Sequence, residues 1–344
     1  MEIKPATYIE RLMKTIKPSL AFDESKDFAT WRKQIKDKLV ELLGMEEIAK
    51  NACPLNFEIE SKEQKDGYTQ IRFTFESEYG SVCPCYLLIP DTKKEKYPVV
   101  ITLQGHSTGF HNSIGVVKYP ERDEGYARGR GAFAVQCVKQ GYIALAIEQR
   151  GMGERRPNEY QRHLADMCTY TACVDMFLGR TTLGERVWDV SRAIDVLANF
   201  KECDLDKIAL TGNSGGGTAT FYTACLEERI KIAMPSCAFC DYGESIVNLF
   251  HCPCNYMPGG FKYFDMGDLS ALIAPRNFVV VAGKDDNIFP ITGVEKSYAI
   301  TERVFKAAGA ADKCRKIVTP KGHWWCEDII WPAMKEEMTK LGWL

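Results

Sequence analysis

The pattern of apolar and polar residues changes along the chain. In the first fifty residues, apolar side chains recur at helical spacing on one face of a predicted helix: Trp31, Ile35, Leu39 and Leu42. Next, apolar residues alternate with polar ones on either side of residues 78–81, which predicts an antiparallel hairpin. The chain therefore begins with an N-terminal helical extension, residues 1–55, which is followed by strands.

From residue 97 onward, short continuous apolar segments alternate with helical patterns. The predicted strands are residues 99–103, 143–147, 207–210, 230–234, 278–282 and 316–319. Continuous apolar strands separated by helices are typical of a mostly parallel sheet that is covered on both faces. We predict an α/β fold with a mostly parallel, doubly wound sheet in residues 56–344. Residues 151–183 and 238–265 lack clear periodicity and are predicted to be functional loops or lids.

Composition narrows the classes of partner. The 344 residues carry 44 Lys and Arg against 46 Asp and Glu, a net charge of -2. Nucleic acid and membrane surfaces are therefore poor partners, because neither is attracted by such a balance. The N-terminus shows no secretory signal, and apolar runs are far shorter than the roughly 20 residues of a membrane span. We expect a cytoplasmic protein whose 14 cysteines are mostly thiols.

One glycine-rich segment carries the clearest chemical signal. Gly212-Asn213-Ser214-Gly215-Gly216 follows a predicted strand and precedes a predicted helix. This is G-x-S-x-G in the strand–turn–helix context of a serine nucleophile, where the turn is tight enough to require glycines beside the serine. A phosphate-binding loop would need a Gly-Lys-Ser/Thr sequence, which is missing at this turn. We predict that Ser214 is a nucleophile.

A serine nucleophile needs a histidine base, and the chain order of such sites is serine, acid, histidine. Of the five histidines (His106, His111, His163, His251 and His323), only the last two follow Ser214. His323 lies in a turn after the last predicted strand, where the ring would reach the carboxyl end of the sheet. We therefore predict that His323 is the base, with a helix-capping surface role as the alternative.

The acid should follow the strand at residues 278–282, where the chain reads Gly283-Lys284-Asp285-Asp286. Either aspartate could orient the imidazole by accepting its Nδ1–H. We favour Asp286, because the turn places Asp285 nearer solvent. Asp241 and Glu244, on an earlier strand end, remain alternatives.

Acyl transfer also needs donors for the developing oxyanion. One donor should be the backbone N–H of Gly215, and the second should come from the loop after the strand at residues 99–103. That loop reads Gln104-Gly105-His106, and we nominate the N–H of His106.

These motifs resemble those of the α/β-hydrolase superfamily, and within it the acetyl xylan esterase-like and dienelactone-hydrolase-like group. The resemblance rests on the elbow around Ser214, Gln104-Gly105-His106, Arg150-Gly151-Met152-Gly153, residues 283–290 and Gly322-His323. It implies an α/β-hydrolase fold in residues 56–344 and removal of a small acyl group, with acetyl the first expectation, from a carbohydrate or related alcohol. We assign Gln104, Arg150 and Trp324 as candidate substrate-binding residues. Loop clamping by Arg150 and helix packing by Trp324 remain alternatives.

Four cysteines permit a different chemistry. Cys237, Cys240, Cys252 and Cys254 form C-x-x-C and C-x-C pairs that resemble a four-thiolate zinc site. The alternative is that they pack as small buried side chains. We assign no metal ligand and expect no cofactor.

We expect a serine esterase that uses Ser214, His323 and Asp286. The same residues acting on a lactone, thioester or peptide bond form the second hypothesis, and a non-catalytic binding protein the third. A homo-oligomer is compatible with the sequence.

Overall fold

The structure is a computed structural model, and it describes residues 5–92, 94–157 and 167–344. In these ranges the helices are α1 (Pro5–Thr15), α2 (Phe28–Leu42), α3 (Met45–Ala49), α4 (Pro120–Ala127), α5 (Phe133–Lys139), α6 (Met167–Phe177), α7 (Thr182–Val196), α8 (Gly215–Leu226), α9 (Met266–Leu269), α10 (Ile291–Ala307) and α11 (Glu327–Lys340). The strands are β1 (Glu58–Lys65), β2 (Tyr68–Glu78), β3 (Ser81–Pro90), β4 (Tyr97–Leu103), β5 (Ile143–Ile147), β6 (Cys203–Asn213), β7 (Ile230–Ser236), β8 (Asn277–Gly283) and β9 (Cys314–Thr319).

The strands of the described residues form one nine-stranded sheet in the order β1-β2-β3-β5-β4-β6-β7-β8-β9. Strands β1, β2 and β3 pair antiparallel, and β3 joins β5 antiparallel. From β5 to β9 every pairing is parallel. The predicted hairpin is confirmed as β2 and β3, with Glu78 opposite Ser81. The predicted mostly parallel sheet is also confirmed.

Helices cover both faces of the sheet, as the continuous apolar strands predicted. In β4, Val99 and Ile101 pack into the same cluster as Val190 and Ile194 of α7. Val100, between them, points to the other face, into the cluster that contains residues of α5 and α11. Since successive side chains of a strand point to opposite faces, a strand buried on both sides must be apolar throughout.

Helix α2 packs on this layered domain. Trp31, Ile35 and Leu39 of α2 are buried in one cluster with apolar residues of α8, β8 and α10, whereas Leu42 is only half-buried. The Arg32 guanidinium donates hydrogen bonds to the carbonyl oxygens of Ala271 and Ala274, at 2.8 and 3.2 Å. The amphipathic pattern of the first fifty residues therefore reflects contact with the main domain.

The two segments without periodicity differ in structure. Residues 238–265 contain only short helical turns, at Gly243–Val247, Pro253–Asn255 and Gly260–Lys262. Residues 151–183 include the eleven-residue helix α6, so the prediction that this whole segment is a loop is wrong in part. The apolar side chains of α6 lie on more than one face, which hides the helical period: some are buried and others exposed (Cys168, Ala172; Tyr170, Val174, Phe177). Residues 158–166 of this segment, including His163, lie outside the described residues.

No helix in the described residues has the length and apolar character needed to cross a membrane. The carboxyl ends of the parallel strands lie along one edge of the sheet. The loops after β4, β6, β8 and β9 carry His106, Ser214, Asp286 and His323, in that order.

Candidate active site

Ser214 occupies a strained turn between β6 and α8. Its backbone angles are φ 55° and ψ -124°, a conformation that non-glycine residues rarely adopt. A β carbon built on Gly216 would lie 2.1 Å from the carbonyl oxygen of Leu103, and one on Gly212 would lie 2.6 Å from the same atom. Both glycines are therefore required by the close approach of β4, as the G-x-S-x-G pattern implied. Strain of this kind is concentrated at functional sites.

His323 and Asp286 are brought together by the loops after β9 and β8. The ring Nδ1 lies 2.9 Å from Asp286 Oδ2. The other carboxylate oxygen, Oδ1, accepts the N–H groups of Ile288 at 2.8 Å and Phe289 at 3.0 Å. Asp285 is exposed to solvent. The contact thus selects Asp286 as the partner of His323.

The two earlier alternatives for the acid have other partners. Asp241 accepts the N–H of Glu244 at 3.0 Å, and the Glu244 side chain pairs with Lys296. Neither is bonded to His323 in the described structure.

Asp286 is buried and ionised. Burial alone would raise the pKa of its carboxyl, but the hydrogen bond to His323 and the two backbone N–H groups lower that pKa below its usual value. The carboxylate is therefore charged at neutral pH and fixed in orientation. A fixed charge at this position can hold the imidazole ring and stabilise its protonated form.

Ser214 and His323 line one cavity of about 420 Å³. Among the hydrogen bonds of the described residues, none joins the Ser214 hydroxyl to the His323 ring. Such bonds are often long in enzymes without substrate and tighten in the complex. A larger, mainly apolar cavity of about 640 Å³ lies against the 238–265 segment, but neither Ser214 nor His323 lines it. The smaller cavity is therefore the candidate active site.

The loop after β4 approaches the serine closely. A β carbon built on Gly105 would lie 3.1 Å from Ser214 Cβ, and one built on Gly215 would lie 3.8 Å from the His106 backbone nitrogen. The N-terminus of α8 and this loop thus face each other across the serine. Backbone N–H groups at a helix N-terminus favour a developing negative charge.

Comparison with known proteins assigns the chain to a family. The sequence pattern of the Abhydrolase family matches residues 3–230, more than half of the chain. The chain belongs to the Abhydrolase family. A protein of Bacillus subtilis (strain 168) named "Putative hydrolase YtaP" is 29% identical over 243 residues, which are 70% of this chain and 77% of that protein.

Solved structures share the fold at low sequence identity. A "putative acetyl xylan esterase" from Bacteroides fragilis NCTC 9343 is 17% identical with a TM-score of 0.79, covering 98% of this chain and 95% of that one. A glucuronoyl esterase from Solibacter usitatus is 16% identical with a TM-score of 0.69, covering 94% and 98%. These similarities establish an α/β-hydrolase fold. The Abhydrolase match together with this shared fold confirms the predicted α/β-hydrolase superfamily.

Gln104, predicted to bind substrate, is fully buried behind this cavity and does not line it. Its amide donates a 3.2 Å hydrogen bond to Oε1 of Glu148, which also accepts the N–H of Phe110 at 3.1 Å. Burial raises the pKa of the Glu148 carboxyl to about 7. Gln104 therefore fixes the loop that carries Gly105 and His106, and the assignment to substrate binding is corrected.

Arg150 was also assigned to substrate, with loop clamping as the alternative. Its guanidinium contacts three buried carboxylates: 2.9 Å to Asp189 Oδ1, 2.9 Å to Glu185 Oε2, and a short contact to Glu78. It does not line the cavity. A guanidinium that is held by three buried carboxylates and lies outside the cavity lining is placed to clamp its loop rather than to contact a substrate.

Trp324 is 44% exposed but does not itself line the cavity. The Arg130 guanidinium lies over its ring, 3.6 Å from the centroid, and Arg130 does line the cavity. Trp324 thus supports Arg130 through a cation–π contact. Its neighbour Trp325 is buried, and its ring lies 4.2 Å from that of Phe133.

Sequence reasoning missed a group of polar residues that line the same cavity as Ser214 and that we call the polar wall. The residues of this wall come from the stretch between β4 and α5: Asn112, Arg122, Asp123, Tyr126 and Arg130. Asp123 lies 2.9 Å from His111 Nε2 and also accepts the N–H of Tyr119 at 2.8 Å. This stretch matches no motif and has no apolar periodicity. The sequence therefore offered no signal for these residues beyond the presence of His111 among the five histidines.

The four cysteines considered as one zinc site do not lie together. Cys237 lies 3.6 Å from the carbonyl oxygen of Trp324, and Cys240 lies 3.6 Å from that of Pro290. Cys252 and Cys254 instead group with Cys168 and His106. The hypothesis of a site formed by all four is therefore wrong, because folding directs the two pairs to different neighbours.

Proposed function

We propose that this protein is a serine esterase that hydrolyses a small acyl ester, with acetyl the first candidate, on a carbohydrate or related alcohol. The observation that carries the proposal is the position of Ser214. It occupies a strained turn at the N-terminus of α8 and faces the same cavity as His323, which is bonded to Asp286. This geometry supports the roles of nucleophile for Ser214, base for His323 and orienting acid for Asp286.

In the proposed mechanism, Asp286 accepts the Nδ1–H of His323, and Nε2 takes the proton of Ser214 as its oxygen attacks the acyl carbon. The N–H groups of Gly215 and His106 hold the oxyanion. His323 then returns the proton to the departing alcohol and leaves an acyl-enzyme. Water, deprotonated by His323, attacks the acyl group and releases the acid and free Ser214.

The polar wall of the cavity supports a hydroxyl-rich substrate. Tyr126 and Arg130 offer hydroxyl and guanidinium groups in the cavity lining, and such groups suit the many hydroxyls of a sugar. The structural neighbours include proteins named as acetyl xylan esterase and glucuronoyl esterase, both of which act on carbohydrate esters by name.

Two arginines on the polar wall favour substrates that carry a negative charge. Arg122 and Arg130 line the cavity, and guanidinium groups recognise carboxylates with two parallel hydrogen bonds. An ester that carries a carboxylate elsewhere on the sugar should therefore be a better substrate than its neutral counterpart.

The test is hydrolysis together with active-site labelling. A fluorophosphonate probe should label wild-type protein at Ser214, and a panel of acetylated neutral sugars, acetylated acidic sugars, aryl esters and lactones should rank the substrates. Ser214→Ala should lower kcat by on the order of 10⁶-fold, because it removes the nucleophile.

Ser25→Ala is the control, since Ser25 is an exposed loop residue bonded to Asp23. It should keep both labelling and hydrolysis. Retention of labelling or hydrolysis by Ser214→Ala would contradict the proposal. A preference for lactones over all acetyl esters would instead support the second hypothesis, in which the same residues act on a lactone.

A further inference from the structure

Four side chains from three separate segments converge beside the active-site cavity. They are His106 from the loop after β4, Cys168 from the first turn of α6, and Cys252 and Cys254 from the 238–265 segment. One ligand atom of each lies within 4.8 Å of all the others. His106 Nε2 is 3.2 Å from Cys254 Sγ, and all three cysteines are free thiols.

This set matches the ligands and spacing of a mononuclear zinc site. Three thiolates and one imidazole are an established zinc ligand set, tetrahedral with Zn–S bonds near 2.3 Å. That geometry separates two sulfurs by about 3.8 Å, so the present side chains need shifts of only about 1 Å to close on an ion. A disulfide would use two of the three sulfurs and leave the third thiol and the imidazole unexplained.

The local fold supports the arrangement. Cys252 and Cys254 flank Pro253, and the turn Pro253–Asn255 closes with a 3.0 Å hydrogen bond from the Asn255 N–H to the Cys252 carbonyl oxygen. The turn directs both sulfurs towards α6. The Thr169 hydroxyl lies 3.6 Å from Cys252 Sγ, as an outer partner of a metal ligand does.

A buried cation provides an independent observation. Arg186 of α7 is 1% exposed and donates to Cys168 Sγ at 3.2 Å and to the carbonyl oxygen of Arg150 at 3.0 Å. Its buried Nε has no hydrogen-bond partner, and no ion pair joins it to a carboxylate within the described residues. Its strongest electrostatic neighbours are the three cysteines of the cluster, and the Asp175 carboxylate also interacts with it without forming an ion pair.

A buried guanidinium without an ion-paired counter-charge is strongly unfavourable. A zinc ion with three thiolates and a neutral imidazole carries one net negative charge, which balances Arg186. Three neutral thiols would supply no negative charge to balance this cation.

We propose that His106, Cys168, Cys252 and Cys254 bind one zinc ion. Four protein ligands close the coordination sphere, so the site is structural and leaves no position for a reacting water. The ion joins the loop after β4, α6 and the 238–265 segment at the edge of the cavity. This ligand set shares only Cys252 and Cys254 with the four cysteines that the sequence suggested.

The site has a consequence for catalysis, which rests on the proposed esterase function. The ring of His106 would bind zinc while its backbone N–H serves the oxyanion. Zinc would then hold that donor in place, making His106, through its ring, a positioning residue. Metal loss should lower kcat more than it raises KM, since the donor acts on the transition state.

The first experiment measures metal. The full chain is purified under reducing conditions without a metal-binding tag, and its metal content is determined by mass spectrometry. About one zinc per chain is expected. Cys254→Ser should lower the zinc content several-fold, whereas Cys173→Ser, an exposed cysteine on the same helix α6, should keep it.

A second measurement avoids variants that fail to fold. Reduced wild-type chain is stripped with a chelator and titrated with Zn²⁺ against a chromophoric competitor, and separately with Co²⁺. We expect one equivalent to bind, a rise in Tm, and the visible absorption of tetrahedral, thiolate-bound cobalt. Absence of tight Zn²⁺ binding by the reduced chain, or unchanged zinc in Cys254→Ser, overturns the proposal.

Ser214→Ala separates this proposal from the esterase proposal. The variant should hold one zinc per chain whether or not the wild type is an esterase, because Ser214 is not a ligand. Zinc binding without ester hydrolysis would therefore leave the metal site standing and refute only the catalytic role.

Discussion

Adjacent aspartates at residues 285 and 286 have different surroundings. Asp285 is exposed, and its N–H donates to the carbonyl oxygen of Lys321. Asp286 is buried, receives two backbone N–H groups and contacts His323. Because a carboxylate orients a histidine only when it is itself fixed, the buried neighbour is the one suited to the role.

Asp286→Asn should therefore lower kcat by about 10⁴-fold, because the amide no longer selects the Nδ1–H form of His323 or stabilises its charged form. Asp285→Asn, with the same change in charge one residue away, should leave kcat within a few fold. Steady-state kinetics on an acetyl ester measures both, and the thermal midpoint shows that each variant is folded. Equal losses in the two variants would contradict the assignment of Asp286.

Helix α7 carries a second buried ionic group, away from the serine. Asp189 lies 2.9 Å from Arg150 and 2.5 Å from Arg155, and Glu185 lies 2.8 Å from Arg180. The arginines belong to loops after β5 and α6, so the group ties those loops to the helix. Burial alone would raise the pKa of Asp189, but Arg150 and Arg155 hold it well below the usual 3.8.

Asp189→Asn should lower the free energy of unfolding by about 3–5 kcal/mol at pH 7, because it leaves two buried cations short of a partner. A carboxyl with a lowered folded-state pKa stabilises the fold above its unfolded pKa and loses this effect as pH falls through the folded value. The difference between the variant and the wild type should thus shrink below pH 4, roughly the unfolded pKa. Urea denaturation at pH 7 and pH 3.5 measures it.

Asp195→Asn is the matched control on the same helix. Asp195 is 35% exposed and pairs with Arg192 and Arg229 at the surface. Exposed pairs contribute about 1 kcal/mol or less. A loss at Asp195 as large as that at Asp189 would argue against a special role of the buried group.

The sequence is most informative where residues close together in the chain form a recognisable motif. Ser214 and the loops bearing Asp286 and His323 each follow a strand of the parallel part of the sheet, so chain order alone predicts that they lie at one sheet edge. The partners of Arg150 could not be found in this way, since Glu78, Glu185 and Asp189 meet it only after folding. The spacing of Cys252 and Cys254 was visible, but Cys168 stands alone in a stretch without a motif.

At the scale of the whole molecule, the N-terminal helices and the sheet share one core. Trp31 is buried, packs on Phe22 and Phe28, and donates its ring N–H to the carbonyl oxygen of Leu20 at 2.9 Å. Its cluster continues to Phe278 of β8. We propose that α2 folds together with residues 56–344.

Trp31→Ala should accordingly destabilise the entire molecule by about 3–5 kcal/mol, the usual loss for a large aromatic side chain in a core. Tyr79→Ala, at a position 85% exposed, should change stability by less than about 0.5 kcal/mol. A single cooperative denaturation curve that shifts as a unit is the expected readout. Loss of only a minor, separate transition in Trp31→Ala would show that the helices fold independently.

Strand β1, at one of the two edges of the sheet, bears on self-association. Five of the eight side chains of β1 are charged, Glu58, Glu60, Lys62, Glu63 and Lys65, and its pairing with β2 shifts register between Ile59 and Ser61. Charges and an irregular register on an edge strand discourage a neighbouring chain from adding its own strand. The backbone N–H and C=O groups on the outer side of β1 are thus discouraged from pairing with a strand of another molecule in a continuous intermolecular sheet. We therefore expect any homo-oligomer of this protein to form through another surface, and concentrated samples to resist fibrillar aggregation through this edge.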